Sequence, residues 1–292
     1  MQKFIRLILI FFLLLIGTDM FSSPQLPDYL VFKGDTFPVY DLILEKYIET
    51  QDQSEKESLF GLKFRDGASL NCWRGYQAIY QIDKDSLFLS SIISCGELFF
   101  SDTIDQIKSH ERINNLFNTN GRVHIDWFSG KISLPKGDLL RWDGVFYKIY
   151  EQEILIDIDK GLIKNVRAVD NYIDAPTRID RRYKDTISTV LFKSLKRIKW
   201  RHIDKCDCSE KYLVTINKNG VPSKVIMPDY QTKDEIKEFW ELGEYNYCIN
   251  RVLKGLKTLK FDIIKHKGKR ISEDVLIELW FEENGDIENW TE

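Results

Sequence analysis

Four short turn signals, each set between two runs of apolar residues, constrain what this chain can fold into. Asp83-Lys84-Asp85 separates residues 73–82 from 87–93, and Ser129-Gly130 separates 122–128 from 131–134. Lys160-Gly161 separates 153–159 from 162–169, and Lys218-Asn219-Gly220 separates 212–217 from 221–227. Short polar turns, three of these four with glycine, between strand-forming runs predict hairpins, and hairpins build antiparallel sheet. Residues 24–38, punctuated by Pro24, Pro27 and Pro38, read as extended chain.

Helical spacing interrupts these strands at a few places. Val39, Leu42, Ile43 and Tyr47 recur on one face, and Ser101 or Asp102 is placed to cap a helix carrying Ile104, Ile107, Ile113, Leu116 and Phe117. A longer helical pattern covers 185–199, and another holds Cys248, Ile249, Val252, Leu253, Leu256 and Leu259. Residues 51–58 are polar and read as a loop. The expected class is α+β: a strand-rich antiparallel domain over 24–178, then a smaller helix-hairpin-helix-strand domain over 179–292. Asp174-Ala175-Pro176-Thr177 marks the boundary between them.

The first 23 residues carry an address. Lys3 and Arg6 precede an apolar run over 7–16 that Asp19 closes, with Gly17, Thr18, Ser22 and Ser23 beyond it. A basic start, an apolar stretch of about ten residues and small residues after it predict a secretory signal peptide. The run is half of what a bilayer span needs, roughly twenty apolar residues. The expected location is therefore periplasmic or secreted. If the leader is retained, the protein hangs from the inner membrane and faces the same compartment, and the membrane is met only through that leader.

Export bears on the five cysteines, Cys72, Cys95, Cys206, Cys208 and Cys248. An oxidising compartment makes disulfides the default, and an odd number leaves at least one thiol free. If residue 82 faces 86, counting outward puts 72 opposite 96, so Cys72 and Cys95 are predicted to bridge, with a bulge absorbing the offset. Cys206-Asp207-Cys208, with His202 four residues earlier, offers donors for a soft metal such as Cu(I). It lacks the paired spacing of a structural zinc site. A bridge from Cys206 or Cys208 to Cys248 is the alternative reading.

Charge excludes little. The net value is −3, with the second half mildly basic. Lys193, Lys196, Arg197, Lys199 and Arg201 surround apolar residues at helical spacing, which is the pattern of a solvated helix face, and no nucleic-acid motif accompanies them. Nucleic acid is not an expected partner. No phosphate-cradling loop is present, and no cofactor is expected.

Catalytic constellations are thin. His124 and Asp126 share a face if 122–128 is a strand, but no nucleophile accompanies them. Asp126 and Asp143 are the carboxylates a hydrolase of envelope glycans or peptides would need to bring together. Trp73, Tyr76, Tyr80, Phe88, Trp127, Phe128, Trp142, Phe146 and Tyr147 are expected to be mostly core, or to line a groove. Arg74, on the opposite strand face from Trp73, is the candidate surface binding residue.

The second domain is similar to the C-terminal domain of TonB-type energy transducers over roughly 185–284. The likeness is carried by YLVTINKNGVPSKVIM, by CINRVLKGLKTLKF and, after the spacer KHKGKR, by EDVLIELWF. That family presents a small sheet whose edge recruits an extended peptide. The resemblance implies an edge strand bearing Val275, Ile277, Leu279 and Phe281, and a protein or peptide partner in the cell envelope. The long proline-rich segment and polar-bearing anchor of such transducers are not in this chain, which has seven prolines and no tract. The first half resembles uncharacterised exported proteins from Gram-negative bacteria, through Lys33-Gly34-Asp35-Thr36 and Cys72-Trp73-Arg74-Gly75-Tyr76. Together these imply a non-catalytic binding module, with a hydrolase or an immunity or inhibitor protein as the alternatives.

Overall fold

The computed structural model describes residues 24–51, 68–101, 103–119 and 121–291. The expected leader, and all but the first residue of the expected loop 51–58, lie outside them. The chain divides into two compact units. Of the described residues, one comprises those up to 130 with 142–147 and 158–163; the other comprises 131–141, 148–157 and those from 164 onward. The expected boundary at 178/179 falls inside the second unit. Both units are mixed α+β with mainly antiparallel strands.

The first unit opens with the hairpin β1 (Asp28–Phe32) and β2 (Asp35–Val39), turned by Lys33 and Gly34, both at positive φ. Helix α1 (Ile43–Ile48) follows. The predicted hairpin is β3 (Gln77–Asp83) and β4 (Ser86–Ile93), with Asp83 opposite Ser86. The register shifts by one residue between Ile79 and Tyr80. β1 joins β3 in parallel, a pairing the hairpin signals do not announce.

Two helices follow, a single turn α2 (Glu97–Phe100) and α3 (Gln106–Phe117). Asp105 caps α3, its side chain accepting from the Lys108 N–H, so the helix starts three or four residues after the expected caps. α3 lies on β4, where Ser109 accepts from the Ile92 N–H and Ile113 is fully buried. The expected strand over 122–128 shrinks to β5 (Val123–His124), which pairs with β4 and not with the strand that starts at Gly130, so the hairpin expected at Ser129-Gly130 does not form.

Three long strands come next: β6 (Gly130–Trp142), β7 (Lys148–Asp159) and β8 (Leu162–Asp170), neighbours in the order β8-β7-β6. The turn between β7 and β8 is Lys160-Gly161, both left-handed, as the sequence predicts. A Cβ on Gly161 would run into the Ile125 carbonyl oxygen, so glycine is required there sterically as well as conformationally.

The rest of the second unit contains β9 (Tyr172–Ile173), α4 (Lys184–Leu195), β10 (Glu210–Ile216), β11 (Pro222–Ile226), α5 (Lys233–Phe239) and α6 (Leu242–Leu256). It ends with β12 (Ile263–His266), β13 (Lys269–Arg270), β14 (Glu273–Phe281) and β15 (Ile287–Asn289). The order helix, hairpin, helix, strand is present as expected. Elements not foreseen include β9, α5, the β12–β13 hairpin in place of a plain basic spacer, and β15.

One four-stranded sheet, ordered β11-β10-β14-β15, carries this part of the unit. Every second residue of its strands, including Tyr212, Val214, Ile216, Val275, Ile277, Leu279 and Phe281, packs into one cluster with Ile187, Leu191 and Leu195 of α4 and Cys248, Val252 and Leu256 of α6. The two helices therefore cover one face of the sheet. No helix among the described residues is long and apolar enough to cross a membrane.

Candidate functional site

The opposite face of that sheet is partly exposed and partly apolar, with Leu213 and Ile226 half-buried. Leu213 on β10 pairs with Ile226 on β11 on one side and with Leu276 on β14 on the other, so three aliphatic side chains form a row across three strands. Leu276 is 44% exposed and Trp280, four residues on along the same face, is 43% exposed. Trp290, just past β15, is 50% exposed and stacks on Trp280, with ring centroids 4.9 Å apart. Its indole N–H donates to Glu288 at 3.1 Å, which fixes the ring. On the same face Lys211 opposite Glu278 lies between the aliphatic row and Trp280, and Thr215, bonded to Asp274 at 2.6 Å, lies on the other side of the row.

β14 is not the edge strand that the resemblance implies. It sits between β10 and β15, and Val275, Ile277, Leu279 and Phe281 point into the helical cluster, each at most 3% exposed. Those four side chains are core, because the period of two that makes them a stripe aims the whole stripe at α4 and α6. Part of the β14 main chain nevertheless stays open. Glu278 donates its N–H to Thr291 Oγ1 and accepts from the Trp290 N–H, so its backbone faces β15. By alternation Leu276 and Asp274 aim the same groups in that direction, beyond the end of β15. Among the described residues no strand pairs with 274–277 on that side.

Arg74 is not a surface residue. It is 2% exposed, its guanidinium lies 2.7 Å from the buried Asp28 carboxylate, and it also donates to the Leu26 carbonyl. Asp28 in turn accepts from the Ala78 N–H and from the Tyr80 hydroxyl, which itself accepts from the Leu44 N–H. Burial pushes the Asp28 carboxyl upward against the pull of Arg74. The strand expected to carry Arg74 begins only at Gln77, so face alternation does not apply to it.

Cys72 and Cys95 form a disulfide, with Cα atoms 6.1 Å apart. Both lie beyond the ends of the β3–β4 ladder, so the turns that flank the hairpin bring them together. Cys208 and Cys248 form a second disulfide, and Cys206 is a free, buried thiol. The three sulfurs of Cys206, Cys208 and Cys248 lie within 4.8 Å of one another. His202 is exposed and is not part of that group. Two of the three sulfurs are bonded to each other, which leaves one thiol as a donor and does not suit a metal.

The other candidates resolve into structure. His124 and Asp126 are both exposed, and the His124 ring meets Phe88 edge-on. Asp143 closes its own turn, accepting from Val145 and Tyr147 at 2.8 and 3.0 Å. Tyr76, Tyr80 and Phe128 are core, whereas Trp73, Trp142 and Tyr147 stand about two-fifths exposed. The five basic residues from Lys193 to Arg201 are all exposed, four of them beyond the end of α4.

A charge cluster in the second unit escaped the sequence reading. Glu273 receives Arg141 and the buried Arg181, whose Nε donates to it at 3.0 Å. Arg141 also donates to the Arg181 and Arg182 carbonyls at 2.9 Å each, pinning β6 to the segment before α4. Burial works to raise the Glu273 carboxyl, and the two guanidiniums outweigh it, leaving it below its ordinary value. Nothing in spacing pairs residues 141, 181 and 273. The open sheet face, by contrast, left a signal: Leu276 and Trp280 occupy the solvent phase of an otherwise alternating strand.

No protein-family model, no curated protein and no solved structure matches the chain.

Proposed function

We propose that this chain is an exported, disulfide-braced, non-catalytic module that docks a protein or peptide of the cell envelope on the open face of its C-terminal sheet. The observation that carries this reading is the row Ile226, Leu213 and Leu276 on the same face as the exposed Trp280–Trp290 stack, next to a stretch of β14 that no strand pairs on its outer side among the described residues. Exposed apolar groups gathered on one face, here on both sides of the Lys211–Glu278 pair, support an interaction surface. Paired aromatic rings give large contact area at low entropic cost. An extended segment lying beyond Thr291 would pair with the free N–H and C=O groups of Asp274 and Leu276, the strand-addition mode that the transducer-like resemblance implies.

Export is supported by the leader and by two disulfides, bonds that persist in oxidising compartments. The test is a crosslinked pull-down from an envelope fraction, comparing the wild type with Leu276→Lys and Trp280→Ala. A protein captured by the wild type and lost with both variants, while both disulfides still map as in the wild type, is the expected result. Equal capture by all three removes the sheet face from the reading.

A further inference from the structure

Cys206 holds its sulfur 3.5 Å from the sulfur of Cys248 and 3.9 Å from that of Cys208, against a disulfide that joins the other two. We propose that this trio is an internal thiol–disulfide exchange site, in which the bridge to α6 moves between Cys208 and Cys206. The step balances without an outside oxidant or reductant. The Cys206 thiolate attacks Cys248 Sγ, a Cys206–Cys248 bond forms, the Cys208–Cys248 bond breaks, and Cys208 leaves as thiolate to take the proton Cys206 gave up.

The Cys206 sulfur lies beside the bridge, so a side-chain rotation must bring it into line before attack, and proximity favours Cys248 as the sulfur attacked. Cys248 is the nearer sulfur, and attack there gives a bridge between elements rather than a cramped one within Cys206-Asp207-Cys208. Cys206 is 4% exposed and Cys208 1%, so a dissolved thiol reaches the bridge poorly while the internal one is already in contact. Burial pushes the Cys206 thiol up; Glu244 of α6 and Asp207 of its own loop add to this, and Arg201 opposes it. The nucleophile is therefore mostly protonated at neutral pH, which keeps the exchange slow and dependent on alkalinity.

The exchange would shift the staple along the chain. Cys208 stands just before β10, its carbonyl accepting from the Tyr212 hydroxyl at 2.8 Å, and its neighbour Ser209 accepts from the Phe281 N–H at 3.0 Å. Cys206 instead closes the helical turn Ile203–Lys205, with its N–H directed at the His202 and Ile203 carbonyls. Moving the bridge from one to the other frees the entry to β10 from α6 while leaving the helix tethered to the loop before it.

The experiment uses the full chain with its disulfides formed. Protein is held at pH 6, 7, 8 and 9 without added thiol, quenched in acid, unfolded and alkylated. Cleavage before Asp207 then separates Cys206 from Cys208, and mass spectrometry reads which carries the alkyl group. The expected result is label on Cys206 at pH 6 and a growing share on Cys208 at higher pH. The apparent first-order rate constant should rise about tenfold per pH unit below the thiol pKa and be independent of protein concentration. Cys208→Ser should fold with a Cys206–Cys248 bridge. Label confined to Cys206 at every pH, a rate constant that rises in proportion to protein concentration, or a free Cys248 in Cys208→Ser would each overturn the proposal.

Discussion

Trp280 and Trp290 stack with centroids 4.9 Å apart and ring planes 18° from parallel, on the face of the C-terminal sheet that α4 and α6 leave bare. An exposed stack of this kind contributes about 0.5–1.5 kcal/mol beyond its buried area. Trp290→Ala should therefore lower unfolding stability by about 1 kcal/mol while removing half of the proposed docking aromatics. Chemical denaturation of the purified variant measures the first effect, and partner capture measures the second. A variant that loses several kcal/mol would show that the stack is structural.

Proline scanning along β14 separates core from open backbone. Ile277 is fully buried and pairs with Tyr212 across the β10 ladder, so Ile277→Pro should abolish the cooperative unfolding transition. Leu276 aims its N–H away from β10, and Leu276→Pro should keep a cooperative transition while blocking strand addition. Circular dichroism on denaturant titration distinguishes the two; equal damage from both would contradict the assignment of which backbone groups are open.

The Arg74–Asp28 pair is predicted to be costly to break. Arg74→Ala strands a buried carboxylate among the Ala78 N–H and the Tyr80 hydroxyl, and loss of one partner of such a pair costs about 3–5 kcal/mol. Thermal or urea unfolding should show that loss in the first unit. A change under about 1 kcal/mol would mean that water replaces the guanidinium.

The Cys72–Cys95 bridge closes a separation of 23 residues, worth about 3 kcal/mol in the chain-entropy picture. The double variant Cys72→Ser, Cys95→Ser should be less stable than the wild type by that order under oxidising conditions, where both keep Cys208–Cys248, and equal to it when both proteins are reduced. Urea midpoints of the two proteins, oxidised and reduced, check this directly.

Glu273 gives a pH signature. Its carboxyl lies below the ordinary 4.5, because Arg141 and Arg181 outweigh its burial. A depressed carboxyl contributes stability that is complete above the unfolded value and lost as pH falls through the folded one. The wild type should therefore lose stability progressively below about pH 4.5, and the gap between it and Glu273→Gln should narrow there. Urea midpoints from pH 7 to pH 3 test it; a gap that stays constant would exclude Glu273 as the titrating group.

Three of the four predicted hairpins were legible because each is local, as at Lys160-Gly161 and Lys218-Asn219-Gly220; the fourth, at Ser129-Gly130, does not form, because β5 pairs with β4 and not with β6. Long-range partners were not. The parallel β1–β3 pairing, the Arg141–Glu273 link across the second unit and the burial of Arg74 depend on elements brought together by packing, and no spacing encodes them. β15 was missed because only Ile287–Asn289 forms it, too short for alternation to register. That omission turned a central strand into an expected edge. The Cys72–Cys95 pair was reached by counting along a ladder that in fact ends at Gln77, so the pair holds through its flanking turns.

The central claim rests on the bare sheet face, and site-specific photocrosslinking in cells tests it most directly. A photoreactive residue is placed in turn at Leu276, Trp280 and Trp290, with Glu283, exposed in the turn before β15, as the control. The account predicts one common crosslinked species at the three sheet positions and none at 283. Crosslinks at 283 equal to those at 276, 280 and 290, or no species shared among the three, would contradict it.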